Sequence, residues 1–260
     1  MTLPHVQVGH GPTLVLLHAF PLSRQMWRDV TAPLAASGWR VVTPDLPGFG
    51  EATDVVTTID AMADAVAALL DELGEQTAVI GGCSMGGYVA LAFAECYPER
   101  TAALVLVDTK ASADSDAARA NRERIAEQVT TSGSTTALAA VMIDTLLGQA
   151  TQRDRPDVVA WVREQILAAS PSAVAAAQHA MAERREQFET LRRLQVPVLC
   201  IRGGDDATAT ADDQAAMVAA ASDVIDVTVA DVGHLLPIED PDAFVAHVGG
   251  FLGRVRTASC

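Results

Sequence analysis

The stretch Thr77-Ala78-Val79-Ile80-Gly81-Gly82-Cys83-Ser84-Met85-Gly86-Gly87 decides how the rest of the chain is read. Thr77–Gly81 is a short apolar run of strand length, and Met85–Cys96 has helical patterning. Between them, Gly82-Cys83-Ser84-Met85-Gly86 fits G-x-S-x-G. A chain that passes so abruptly from strand to helix forces the serine into a strained conformation and lifts its hydroxyl above the sheet. The two arms of such a turn nearly touch, so small residues must flank it, and Gly81, Gly82, Gly86 and Gly87 do. A phosphate cradle at a helix N-terminus is the competing reading. The run has neither the lysine of a P-loop nor G-x-G-x-x-G spacing. Ser84 is therefore the expected nucleophile. Cys83 points elsewhere at such a turn and is expected to pack into the core.

Working outward, Thr13–Leu17, Trp39–Thr43, Ala102–Val107, Val196–Ile201 and Val224–Val229 also read as strands. They are continuous apolar runs, the pattern of strands covered on both faces of a parallel sheet. Helical patterns lie at Met26–Ala36, Ile59–Leu73, Asp212–Ala221 and Pro241–Leu252, the last with Asp240 as N-cap. Strand and helix alternate, which predicts an α/β fold with a mostly parallel sheet. From Thr109 to Arg193 the rhythm breaks. Apolar positions such as Ile125/Val129 and Ala140/Ile143/Leu147 recur at helical spacing, and no strand is evident. Residues 1–108 and 194–260 are expected to form the core, and 109–193 a helical cap over the carboxyl ends of the strands, where open α/β sheets bind ligands. The tail Arg254–Cys260 is expected to be loose.

The composition agrees with a globular domain: half of the 260 residues are hydrophobic and a fifth are charged. With 18 basic against 33 acidic residues the net charge is −15, which disfavours nucleic acid and anionic membranes as partners. No stretch approaches the ~20 apolar residues of a membrane span. Met1 to Leu22 lacks the basic residues of a signal peptide, so a cytoplasmic location is expected. Cys83, Cys96, Cys200 and Cys260 lack metal-ligand spacing and read as reduced thiols. Neither a metal nor another cofactor is expected.

A serine nucleophile needs a base. Of His5, His10, His18, His179, His234 and His247, only His234 sits in a loop directly after a late strand, in Asp231-Val232-Gly233-His234-Leu235-Leu236-Pro237. His179 and His247 fall within helical patterns. The imidazole needs an acid to fix its tautomer. Val196–Ile201 leads into Arg202-Gly203-Gly204-Asp205-Asp206, giving the order Ser, Asp, His. Spacing leaves Asp205 and Asp206 both open, with Asp108 a further candidate at the end of Ala102–Val107. Acyl transfer also needs two backbone N–H donors for the oxyanion. The Met85 amide, at the start of a helix, and the Phe20 amide, after the strand ending in Leu17, are the expected pair.

These segments together resemble the α/β-hydrolase family over nearly the whole chain. His18-Ala19-Phe20-Pro21 looks like its His-Gly-x-Pro loop, with Ala19 in place of the usual glycine. Asp45-Leu46-Pro47-Gly48-Phe49-Gly50 looks like its D-x-x-G-x-G segment. Gly82–Gly87 looks like its "SMGG" elbow, and Gly233-His234 with Glu239 and Pro241 like its closing G-H…E-x-P segment. Gly203-Gly204-Asp205-Asp206 looks like its G-x-x-D acid turn, which implies Asp206 as the acid. Thr210 stands where a proline is common. The serine argues against the dehalogenase and epoxide hydrolase branches, which place an aspartate there.

The resemblance is nearest to small capped carboxylesterases and to 3-oxoadipate enol-lactonase-like hydrolases. It implies a Ser-His-Asp hydrolase that cleaves small hydrophobic carboxylic esters through an acyl-enzyme. Val141, Met142, Leu146 and Trp161 of the cap, with Leu235 beside the histidine, are the candidate pocket walls. The alternative is an enol-lactonase or C–C bond hydrolase acting on a carboxylate-bearing substrate, with Arg119, Arg122 or Arg124 as the cation. Perhydrolase or haloperoxidase side activity uses the same triad. A non-catalytic receptor of this fold is the third reading.

Overall fold

The computed structural model describes residues 3–258. Its strands are β1 (His5–Val8), β2 (Thr13–Leu17), β3 (Arg40–Pro44), β4 (Ala78–Cys83), β5 (Thr101–Val107), β6 (Val198–Gly203) and β7 (Val224–Val229). The helices before the insert are α1 (Arg28–Ala36), α2 (Ile59–Leu73) and α3 (Met85–Cys96). Between β5 and β6 come α4 (Asp116–Ser132), α5 (Thr136–Leu146), α6 (Gln149–Asp154), α7 (Pro156–Ala168), α8 (Pro171–Ala182) and α9 (Phe188–Arg193). The chain closes with α10 (Ala211–Ala220), α11 (Leu236–Glu239) and α12 (Pro241–Ala258).

The seven strands form one sheet in the order β1-β3-β2-β4-β5-β6-β7. All pairings are parallel except β1 with β3. Every residue of β2, β4 and β6 is buried, as expected for strands with helices on both faces. The central position of β4 puts Ser84, its next residue, at the middle of the sheet's carboxyl edge. β5, its neighbour, and β6, the next strand along, deliver Asp108 and the Asp206 turn to the same edge.

The structure departs from the sequence reading at β1, at β7, at the ends of β4 and β6, and near the C-terminus. β1 went unseen because His-Val-Gln-Val is short, mostly exposed and antiparallel at an edge. β7 is not covered on both faces; it is the opposite edge, and its burial alternates with exposed Asp226 and Thr228. β4 and β6 run two residues past their expected ends, to Cys83 and Gly203, because parallel pairing continues through Cys83↔Val107 and Gly203↔Val229. The segment after Arg254 is not loose as far as Ala258, where α12 ends. Cys260 lies outside the described residues. Asp240 does cap α12, its Oδ1 accepting from the Ala243 amide at 2.9 Å.

The insert is wholly helical. Its helices α4 and α8 pack along each other, as do α5 and α7. Arg122 of α4 and Arg184 just past α8 both bond Asp114, whose side chain is only 2% exposed. No described helix is long and apolar enough to cross a membrane.

Candidate active site

Ser84 occupies the turn between β4 and α3 with φ of 54° and ψ of −114°. This is the strained conformation that the motif implies. The neighbouring glycines are dictated by space. A Cβ on Gly82 would lie 2.1 Å from the Gly86 carbonyl carbon, and one on Gly86 would lie 2.1 Å from the Leu17 carbonyl oxygen. Only bare backbone lets α3 start this close to the end of β2.

His234 Nε2 lies 2.8 Å from Ser84 Oγ, and His234 Nδ1 lies 2.8 Å from Asp206 Oδ2. The serine hydroxyl donates to Nε2, so Nδ1–H donates to the carboxylate. Asp206 is aimed by its own turn: its Oδ1 accepts from the Thr208 and Ala209 amides at 2.7 and 3.1 Å. Asp205 is exposed and takes no part. His234 is 2% exposed. Burial alone would lower its pKa, but the charge and hydrogen bond of Asp206, with Asp108 and Glu239 behind, outweigh that and raise it above 6.5.

Asp108 does not touch the imidazole ring through any of its hydrogen bonds. Its Oδ1 accepts from the Gly203 amide at 2.7 Å and its Oδ2 from the Leu236 amide at 3.2 Å. It thus ties the end of β6 to the loop that carries His234. Burial pushes its carboxyl up to about 7, despite the opposing effect of His234. Cys83 is in the core as expected, its thiol 3.7 Å from the His234 carbonyl oxygen. Burial, and then the negative charges of Asp108, Asp206 and Glu239, raise that thiol well above its ordinary value.

The Phe20 amide lies on the loop after β2 and the Met85 amide at the start of α3, which Gly86 lets approach each other. Among the described residues neither has a protein acceptor. His18 fixes the first of these loops: it is fully buried, its Nε2 accepts from the Leu46 amide at 2.9 Å and its Nδ1–H donates to the Ala19 carbonyl at 3.0 Å. Burial lowers its pKa, so it is a neutral strut.

Ser84 and His234 open into a cavity of about 360 Å³ roofed by α4, α5 and α8. That is within the range of small-molecule sites. Val141, Met142 and Leu146 line it, as expected from the sequence. Trp161 and Leu235 do not. Trp161 lies under the Arg28 guanidinium, 4.4 Å from the ring centroid, and Leu235 is fully buried beneath the histidine loop. Of the candidate cations, Arg122 and Arg124 face the cavity, and Arg119 instead pairs weakly with Asp116. Among the described residues no group of His, Cys, Asp and Glu is disposed to hold a metal ion.

Three positioning contacts had no sequence signal of their own. Thr109 Oγ1 donates to the Ser84 carbonyl at 2.8 Å. The His234 amide donates to the Leu146 carbonyl at 3.0 Å. Glu239, a member of the closing G-H…E-x-P segment, accepts from the Leu235 and Gly148 amides at 3.2 and 2.8 Å.

Residues 12–241 match the alpha/beta hydrolase fold family. The chain belongs to that family. Among solved structures, this alpha/beta hydrolase is similar to a thermophilic esterase from Thermogutta terrifontis, solved with malate bound. They share 40% identity at a TM-score of 0.94, over 97% of this chain and 93% of the other. It is also similar to the enol-lactonase from Burkholderia xenovorans LB400, at 26% identity and a TM-score of 0.89, over 96% of each chain. A curated relative, the pimeloyl-[acyl-carrier protein] methyl ester esterase of Aromatoleum aromaticum, is 45% identical over 98 residues. That match spans 38% of this alpha/beta hydrolase and 37% of the relative's length.

Proposed function

We propose that this alpha/beta hydrolase is a serine carboxylesterase acting on small, largely apolar esters through an acyl-enzyme. The observation that carries the reading is the unbroken chain Ser84 Oγ–His234 Nε2 and His234 Nδ1–Asp206 Oδ2, both links 2.8 Å, at the floor of a cavity of substrate size. Serine is a nucleophile only when a base accepts its proton as it attacks, and His234 is in hydrogen-bond contact with it. Asp206 keeps the proton on Nδ1, so that Nε2 is free to accept, and stabilises the imidazolium that forms.

In this mechanism Ser84 Oγ adds to the ester carbonyl while its proton passes to Nε2. The Phe20 and Met85 amides receive the charge that develops on the carbonyl oxygen. His234 returns the proton to the leaving alkoxide, and the alcohol departs. Water then adds to the acyl-enzyme with His234 again as base, and the acid is released with Ser84 restored. Similarity to a thermophilic esterase over nearly the full length of both chains supports the reading.

The test is hydrolysis of a p-nitrophenyl ester series, acetate to octanoate, by the wild type and by Ser84→Ala in parallel. Turnover that peaks at short acyl chains and vanishes in Ser84→Ala is expected. No wild-type turnover above the Ser84→Ala background would overturn the reading.

A second reading is an enol-lactonase, in which the ester is internal to a ring and the same steps open it. The full-length similarity to an enol-lactonase and the cations Arg122 and Arg124 at the cavity favour it. Faster opening of an unsaturated lactone than of any open-chain ester would select it.

A further inference from the structure

The chain has 18 basic residues, and only one of them is a lysine, Lys110. We infer that Lys110 is a specificity-determining residue whose ammonium receives a carboxylate carried by the substrate, so that the preferred esters are monoanions. The inference rests on the esterase reading and narrows its substrate class.

Lys110 is held firmly where this requires. It follows Asp108 and Thr109 at the end of β5. Asp108 is bonded to the amides of Gly203 and Leu236, and Thr109 to the carbonyl of Ser84. The backbone that bears Lys110 is thus fixed against the nucleophile, the acid turn and the base loop together. Its side chain is half-buried and lines the same cavity as Ser84 and His234.

The ammonium is also underused. Its protein hydrogen bond is a long one, 3.5 Å to the Thr208 carbonyl. Among the described residues it has no acidic partner, whereas most arginines do. An ammonium carries three donors, so it has donors to give a ligand.

The surrounding charge points the same way. The cavity wall carries Lys110, Arg122 and Arg124 against one carboxylate, Asp114. Asp114 is already shared by Arg122 and the buried Arg184. In a chain with net charge −15, the side chains that line this cavity are thus net positive, while Asp206, Asp108 and Glu239 lie behind His234. Such a reversal focuses anions into the cleft. With Arg122 engaged by Asp114, Lys110 acts as a single compact charge, which suits a monoanionic carboxylate better than a phosphate dianion. Ile125, Leu138 and Met142 on the same cavity supply an apolar wall for the rest of the ligand.

The experiment uses ester pairs that differ only in a terminal charge. Monomethyl adipate against methyl hexanoate places the charge on the acyl chain. The acetate ester of γ-hydroxybutyrate against butyl acetate places it on the alcohol. In at least one pair the wild type should favour the anion in kcat/KM by about tenfold, the order expected for one part-buried ion pair. That ratio should collapse in Lys110→Met, persist in Lys110→Arg and shrink as salt is raised. Because each ratio is taken within one variant, a general loss of activity cancels. A wild-type ratio near unity in both pairs, or an anion preference that survives Lys110→Met, would overturn the inference while leaving the esterase reading intact. If the wild type cleaves none of the four, the esterase reading fails. Calorimetric binding of monomethyl adipate against methyl hexanoate, in Ser84→Ala with and without Lys110→Met, then decides the role of Lys110 by the same ratio.

Discussion

Thr109 supports Ser84 from behind, its Oγ1 donating to the Ser84 carbonyl at 2.8 Å. The same hydroxyl fills the space that a Cβ on Gly87 would enter at 2.4 Å. The strained residue is thus braced by a side chain just past the end of the neighbouring strand, β5. Thr109→Val keeps the shape and removes the bond. The Ser84 carbonyl still accepts from the Gly87 amide at 2.9 Å, so the loss should be about 1 kcal/mol of stability. A small shift of the nucleophile should lower kcat by roughly tenfold with little change in KM. Thermal unfolding and steady-state kinetics measure both. An unaltered kcat would mean that the turn holds Ser84 without help.

Asp206→Asn should cost about 10⁴-fold in kcat, because an amide in place of the carboxylate favours the wrong tautomer of His234. Asp205→Asn should fall within about twofold of wild type, since the side chain is exposed and makes no contact with the ring. Parallel kinetics on the two variants check the assignment, and the reverse order would exchange the two roles.

The pH dependence has a definite sign. His234 must be neutral to accept the serine proton, and its pKa is raised above 6.5. The kcat/KM profile should therefore rise with pH through a midpoint above 6.5, and Asp206→Asn should move that midpoint down. Stability runs the other way. A group whose folded pKa is raised stabilises the protein below its unfolded pKa, and that stability is lost as pH rises through the folded value. His234 contributes this loss above 6.5, and Asp108, pushed from 3.8 up to about 7, contributes it across the interval between. Denaturant titrations at pH 5 and pH 8 should show the Asp108→Asn variant losing less stability than wild type over that range.

Thiol reagents should leave activity intact. Cys83 is buried with its thiol held strongly protonated, and Cys200 is buried with its thiol pushed up to about 12. Cys96 is exposed and should take the label at alkaline pH. A serine-directed phosphonate should instead inactivate the protein with label on Ser84. Mass spectrometry of the labelled peptides decides, and loss of activity in step with labelling of Cys83 would reassign the nucleophile.

In the insert, Asp114 is the anion on which two arginines converge. Burial opposes its charge, but Arg122 and Arg184 win, and its carboxyl is held below its ordinary value of 3.8. Its stabilisation is present at neutral pH and fades as pH falls through that lowered value. Asp114→Asn removes the charge opposite a guanidinium that is only 4% exposed and keeps just the Met181 and Ser112 carbonyls as acceptors, and should cost about 3 kcal/mol. Proteolysis within α4 should become faster in this variant than cleavage of the sheet. Equal protection in variant and wild type would show that the pair contributes little.

That Ser84, His234 and Asp206 meet could be read from the sequence because such a geometry leaves marks on residue identity. Gly82 and Gly86 are the only residue type that the crossing of β4, α3 and β2 admits. His234 and Asp206 each follow a strand in the required order. The cavity was harder to read. Met142 and Leu146 line it, but Trp161, with the same apolar look on a helix, turns to Arg28. Which face a cap helix turns inward depends on its partners, and those are fixed by tertiary packing. β1 was invisible for a related reason: an exposed edge strand needs no apolar run, and the sheet beside it supplies the hydrogen bonds.

The stitching of the insert to the base loop has a mechanical consequence. The end of α5 offers its Leu146 carbonyl to the His234 amide, and Gly148 donates to Glu239 just beyond. At that edge roof and base form a single mechanical part, and a door hinged there would drag the imidazole off the serine as it swung. Midway along the same helix, Val141 lines the cavity and stands 63% exposed, away from this anchor. One helix, α5, thus both walls the cavity and anchors the loop that holds the base.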